Sequence, residues 1–434
     1  MSAGPRPAPR PRPAGPMALV LLLAHVAAAA GLPAARVEAP TSVAKHGVFE
    51  LSLAVPDFQS LFDEDGSHEA DLLNPFLTEV VANFAHTKSG KVLTPNGFYD
   101  GSGVWRVRFS PPDEGSWSWR TSSGHSSLHG HAGTVHVTAA QSAGCPKTSP
   151  KKMGFVYPDG TPYTPVGTTC YSWVHQDENG AQGDPDTLEQ NTLDNLKASP
   201  FNKVRMTGFP KWYPFTHHEP RHLLRHISLQ TASILMISLA GSLTDSRECC
   251  NNTIGKFTLI FWRSRYYPFM GKFAAPSGPC HPPANTTCAK SEWDFTRFNP
   301  TFWQHFDKRV SEVAALGIVP EIILFHPYDD DHWGFDRINR RCGSAGSTSA
   351  MHCTGPGQDM DCLWCDELYI KYMVSRVSAY GTWWSMANEW DLEKSKTVAD
   401  WDQLFQTLQQ ADATHDRERS IHNCASSAST RMTG

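Results

Sequence analysis

Between residues 163 and 422 the chain repeats one unit, a short apolar run rich in β-formers followed by an amphipathic stretch that ends in glycine. Residues 303–316 carry helical periodicity and stop at Gly317, and residues 318–325 then read as a strand. Residues 368–380 repeat the pattern, closed by Gly381 and followed by the apolar run 382–387. A glycine just past a helix end takes the left-handed conformation that terminates it, so both glycines mark helix-to-strand junctions. The same rhythm predicts a first strand at 163–169, a helix at 188–197, a second strand at 201–206, a helix at 401–411 and the start of a fifth strand at 419–422. Strands separated by helices pair in parallel through crossovers, which favours a (β/α) barrel over an antiparallel fold. In such a barrel the residues just after each strand carry the chemistry.

The preceding hundred residues follow another rule. Residues 48–53, 80–84, 104–109, 116–119 and 134–137 alternate apolar and polar side chains, separated by turns such as Pro95-Asn96-Gly97 and Asp100-Gly101-Ser102-Gly103. That pattern predicts an immunoglobulin-like antiparallel β-sandwich over about 38–140, with the alternate charged residues on its solvated face. Sugar binding, packing and spacing are all open roles for it. Residues 141–152 are rich in Ser, Pro and Lys and read as a linker. The whole is therefore expected to be multidomain, a sandwich followed by a barrel over about 153–424.

The first thirty residues place Arg6, Arg10 and Arg12 ahead of an apolar run at 18–30, the pattern of a secretory signal peptide. The run is too short to cross a bilayer, so no stable membrane insertion is expected after cleavage. Secretion favours disulfides over reduced thiols for the eleven cysteines, with at least one left over. It also makes Asn251 and Asn285 glycosylation acceptors. Cys342, Cys353, Cys362 and Cys365 could hold zinc, although two disulfides stapling a loop fit a secreted chain better. No metal or other cofactor is expected. A net charge of −5 without a basic patch argues against nucleic acid as a partner. Two stretches, about 221–265 and 340–366, break the barrel rhythm and read as inserts, the first resembling translated intron; residues 425–434 read as a tail outside the domain.

Polar groups collect where the predicted strands end. Arg205 lies on the second strand, His326, Tyr328 and Asp329 follow the third, Asn388-Glu389-Trp390-Asp391 follow the fourth and His422 follows the fifth; Trp173 follows the first. A chain of this length contains about one Asn-Glu pair by chance, so position rather than the dipeptide gives the motif its weight. The segments 201–206, 293–300, 324–329, 332–335 and 384–391 resemble those of apiosidase-like TIM-barrel glycoside hydrolases. Asn74-Pro75-Phe76 and residues 97–101 resemble the β-sandwich module of unknown function that precedes such barrels.

The resemblance implies a carbohydrate substrate and hydrolysis of glycosidic bonds, with Glu389 as general acid/base and Asn388 bonding the sugar 2-hydroxyl. Arg205 and His326 would orient the catalytic carboxylates, and Trp390 would form part of an apolar wall. The clan's nucleophile, a Glu after strand seven, has no counterpart here, because the barrel pattern stops after about strand five. Asp329 and Asp391 are the available substitutes. An incomplete (β/α)8 barrel without its nucleophile leaves a second reading, a catalytically dead secreted protein that binds carbohydrate or has a structural role.

Overall fold

The computed structural model describes residues 33–66, 72–151, 153–171, 173, 188–208, 268–272, 292–327, 363–392 and 396–424. The expected signal peptide, both glycosylation acceptors, the 221–265 stretch, Cys342, Cys353, Cys362 and the tail lie outside these residues, as do Tyr328 and Asp329.

The N-terminal part consists of two facing sheets. One has the order β1 (Arg36–Glu38), β3 (Phe49–Ala54), β7 (Val104–Phe109), β6 (Gly97–Tyr99). The other runs β2 (Ser42–Ala44), β9 (Ala132–Thr138), β8 (Gly115–Ser123), β4 (Val80–His86), β5 (Val92–Leu93). Alternation places Phe49, Leu51, Leu53, Val107 and Phe109 against Ala82, Phe84, Trp117 and Val135, all buried. The rings of Phe84 and Phe109 stack across the gap at 4.2 Å. Every pairing is antiparallel except β2 with β9, which is parallel. A four-residue helix, α1 (Phe58–Leu61), leads out of β3.

The outer face of the first sheet corrects the expectation of a solvated surface. Its charged residues meet the C-terminal part. Arg108 Nη1 donates to Asp307 Oδ2 at 2.7 Å and to the Arg376 carbonyl at 2.6 Å, while Arg376 Nη2 reaches Asp100 Oδ1 at 2.8 Å and Asp307 Oδ2 at 2.7 Å. Glu50 receives both Arg106 and Arg108. Phe98 lies under the Arg376 guanidinium, 4.4 Å from its ring centre. Against the cost of burial, Arg376 and Arg106 hold the Asp100 carboxyl below its ordinary range.

Residues 141–152 are not a free linker. Lys147–Thr148 (β10) pairs with β11 (Phe155–Val156), which pairs with β12 (Pro162–Tyr163) in a small antiparallel sheet. The expected strand at 163–169 is thus split around Pro165, and only β13 (Gly167–Thr169) joins the main sheet. That sheet is wholly parallel, ordered β13, β14 (Lys203–Thr207), β17 (Val319–Phe325), β18 (Trp383–Ala387), β19 (Arg419–Ser420). Every residue of β17 and β18 is buried, as expected for strands covered on both faces. Among the described residues the sheet does not close into a barrel.

Helices α2 (Leu188–Ala198), α3 (Pro300–Ala315), α4 (Leu363–Val377) and α5 (Val398–Ala411) connect it. Asn299 caps α3 by accepting from the Thr301 N–H at 3.2 Å, with Pro300 in the first turn. Thr397 and Asp400 form a reciprocal capping box at α5. Gly317 (φ 76°) and Gly381 (φ 82°) are left-handed, as their positions predict. Helix α4 begins earlier than the sequence suggests, so Cys365 and Asp366 belong to it rather than to an inserted loop. The pairing of β15 (Phe269–Lys272) with β16 (Glu292–Phe298) is also new, since neither segment shows clean alternation.

Candidate active site

The loop after β18 is built by main-chain bonds to both neighbouring strands. The Asn388 N–H donates to the Phe325 carbonyl at the end of β17 (3.0 Å). On the other side, the His422 N–H donates to the Ala387 carbonyl and the Trp390 N–H to the His422 carbonyl, both at 3.0 Å. Glu389 between them has φ 52°, and its carbonyl accepts from the Leu392 N–H at 2.9 Å. A non-glycine residue in the left-handed region is uncommon and persists where its surroundings over-determine it. Here the bonds on either side fix the turn, which carries the glutamate away from the strand direction. Asp391 accepts from the Cys424 N–H at 2.7 Å, so its carboxylate holds the segment after β19.

Asn388 is 6% and His326 3% exposed; His326 follows Phe325 directly. The structure thus gathers Asn388, Glu389, Trp390, Asp391, His326 and His422 at one end of the parallel sheet. Arg205 sits deeper. Its Nη2 donates to Ser385 Oγ at 3.0 Å, two residues before the end of β18. Glu321 stands opposite Arg205 in register, with Lys203 Nζ 2.5 Å and Arg205 Nε 3.7 Å from its carboxylate. The sequence reading missed Glu321. Its signal was a carboxylate inside an otherwise apolar strand; the basic partner, Arg205, lies directly opposite on the adjacent strand.

Trp173 is 3% exposed and packs in the main core, its indole N–H without a hydrogen-bond partner among the described residues. Trp383 lies at the opposite end of the sheet against Phe155 and Tyr163, and Trp384 is fully buried with its N–H on Asp412. Both are packing residues. A second feature absent from the sequence reading is the ion pair of Lys396 and Asp366 (3.3 Å), completely enclosed, with the ammonium 4.9 Å from the Phe325 ring centre. It ties the segment before α5 to the start of α4 beside the end of β17.

Cys145, Cys170 and Cys365 are free thiols. Burial pushes Cys170 up to about 11 and, with Asp366 and Asp294 nearby, Cys365 up to about 12, so both are protonated at neutral pH. Among the described residues no group of His, Cys, Asp and Glu is arranged to hold a metal ion, and no helix is long and apolar enough to cross a membrane.

Residues 43–124 match DUF5060, a domain of unknown function. The chain is similar to the crystal structure of a candidate glycoside hydrolase from Bacteroides vulgatus ATCC 8482, with 30% identity, a TM-score of 0.60, and coverage of 89% of this chain and 57% of that one. The chain therefore spans little more than half the length of that protein. A GH5 xyloglucanase from Bacteroides ovatus aligns over 89% of this chain and 66% of its own at 9% identity and a TM-score of 0.24, too low to carry an argument. No curated protein matches the chain.

Proposed function

We propose that the chain belongs to a secreted, apiosidase-like glycoside hydrolase in which an immunoglobulin-like module precedes a (β/α)8 barrel, and that the parallel sheet is the first part of that barrel. The observation that carries this reading is the turn after β18, where Asn388 and Glu389 follow a buried parallel strand and are bonded to the ends of both neighbours. Sites of such barrels occupy that end of the sheet. The likeness to the Bacteroides vulgatus protein supports a carbohydrate as substrate.

In this account Glu389 is the general acid/base, delivering a proton to the leaving oxygen, and Asn388 bonds the sugar 2-hydroxyl. His326 orients the reacting groups from the end of β17, while Arg205 acts from below through Ser385. Trp390 offers an apolar wall. Glycoside hydrolysis needs a second carboxylate. Asp391 already serves as an anchor for Cys424, which favours a nucleophile supplied by a strand beyond β19. The same observation favours the alternative that the 434-residue chain binds carbohydrate without turnover.

Titration of oligosaccharides into the 434-residue chain tests the site. Asn388→Ala and Trp390→Ala are expected to weaken binding about tenfold or more, the cost of a lost hydrogen bond to a buried partner or a lost stacking face. Unchanged affinity in both variants would move the sugar elsewhere.

A further inference from the structure

A cavity of about 700 Å³ lies at the other end of the sheet, between the N-terminal module, residues 141–145 and the start of β17. It falls within the size range of small-ligand sites. Its charged lining is all of one sign: Lys45 and Arg417 line it beside the His46 imidazole, and no aspartate or glutamate does. In a chain of net charge −5 this is a local reversal. None of the three makes an ion pair with a described residue. Arg417 Nε donates to the Ser378 carbonyl at 3.2 Å, while the Lys45 ammonium makes no hydrogen bond among the described residues.

Around these side chains stand Ser110, Ser142 and Tyr157, which carry hydroxyl groups, while the Ser311 hydroxyl donates to the Lys308 carbonyl at 2.8 Å. Gly144 (φ 79°) lets its loop close onto the His46 ring, where an added Cβ would come within 2.9 Å of the imidazole. Two acids act on these side chains from outside the lining: Asp113, which also receives Lys91 at 3.2 Å, and Asp412, which accepts from Ser378, Trp384 and the Arg417 N–H and offsets part of the Arg417 charge. The last turn of α3 presents its carbonyl end to the cavity, worth about half a negative charge, less than the positive charge of Lys45 and Arg417 together.

We infer that this cavity is a binding site for a small oxyanion group, a sulfate or phosphate either free or carried on a sugar, separate from the site after β18. Two cationic side chains, an imidazole and several hydroxyls converge on one space, which is the donor set that a tetrahedral oxyanion requires. The inference does not depend on the proposed hydrolase activity.

Calorimetric titration of the 434-residue protein at constant ionic strength tests it, with inorganic sulfate, inorganic phosphate, glucose 6-sulfate and chloride as probes. Saturable binding of one oxyanion per chain is expected, without saturable binding of chloride. Tighter binding of the sugar sulfate than of free sulfate would identify the carried group as the natural ligand; equal binding would identify the free ion. Lys45→Gln and Arg417→Gln should each weaken binding about tenfold or more, whereas Lys88→Gln, on the exposed surface, should leave it unchanged. Because Arg417 also supports Ser378, Lys45→Gln is the deciding variant if Arg417→Gln fails to fold. Absence of saturable binding, or the same affinity in Lys45→Gln as in the wild type, would overturn the inference.

Discussion

Single residues carry the two most specific features of this chain. Glu389 was legible in the sequence as a carboxylate after a strand, but its left-handed backbone was not, because only the bonds from Phe325 and His422 on both sides of the turn impose it. The chain of His415, Ser378 and Asp412 was not legible at all, since Ser378 lies more than thirty residues before the turn that holds the other two. Ser110 N–H donates to His415 Nε2 at 3.2 Å, which places the ring proton on Nδ1, facing Ser378 Oγ at 3.1 Å. Ser378 in turn donates to Asp412. Serine sits between acid and imidazole, so the arrangement is not a nucleophile activated by a base. Burial, with Arg417 adding to it, holds His415 well below its ordinary value of 6.5.

A proton on Nε2 would break the bond to Ser110. As pH falls below about 6.5 the unfolded chain takes up a proton that the folded state refuses, so stability declines there and is complete above it. Burial gives His46 and His125 the same direction. Asp412, raised by burial, acts oppositely and only where carboxylates titrate. Thermal unfolding between pH 7 and pH 5 should show the melting temperature dropping with acid, and His415→Gln should flatten that slope. An equally steep slope in the variant would remove His415 from the account.

At the scale of elements, what the sequence revealed depended on periodicity. Strands β3, β4, β7, β8 and β9 and helices α3 and α5 lie within a few residues of where alternation, helical periodicity and glycine stops put them. The misses share a physical cause. Pro165 interrupts what reads as one strand, and β12 and β13 go to different sheets. The β15–β16 pair has a register shift at Phe269/Met270 and no regular alternation to reveal it. Helix α4 starts in cysteine-rich sequence whose composition suggested a stapled loop. Caps are the local devices that set these boundaries, so their removal can be weighed. Asn299→Ala should cost about 1 kcal/mol in urea unfolding, by freeing the Thr301 N–H and the left end of α3. A loss indistinguishable from zero would mean that Pro300 alone sets the start of the helix.

For the whole molecule, the decisive contact is the one that alternation misassigned. A polar face on a strand normally meets water, yet Arg108 and Arg376 are buried between the module and helices α3 and α4, with Asp100 and Asp307 between them. The Tyr372 hydroxyl donates to the Tyr99 carbonyl at 2.8 Å, and its ring stacks on Phe298 at 3.9 Å. Sequence could not show this, because charge complementarity across 200 and more residues has no local signature. The module is therefore a fixed support for the sheet that carries the candidate site. Arg376→Met leaves two buried carboxylates short of a partner and should cost about 3–5 kcal/mol in denaturant unfolding. A cost below about 1 kcal/mol would show that the two parts are held by their apolar contacts alone.

The proposed role of the turn after β18 is to place a catalytic acid against a glycan. Its most direct test is reducing-end release from a panel of polysaccharides by a protein that carries the whole of the proposed (β/α)8 barrel, wild type against Glu389→Gln. The substitution should lower kcat about 10²- to 10⁴-fold while oligosaccharide affinity stays within a few-fold. Turnover by Glu389→Gln at the wild-type rate would contradict it.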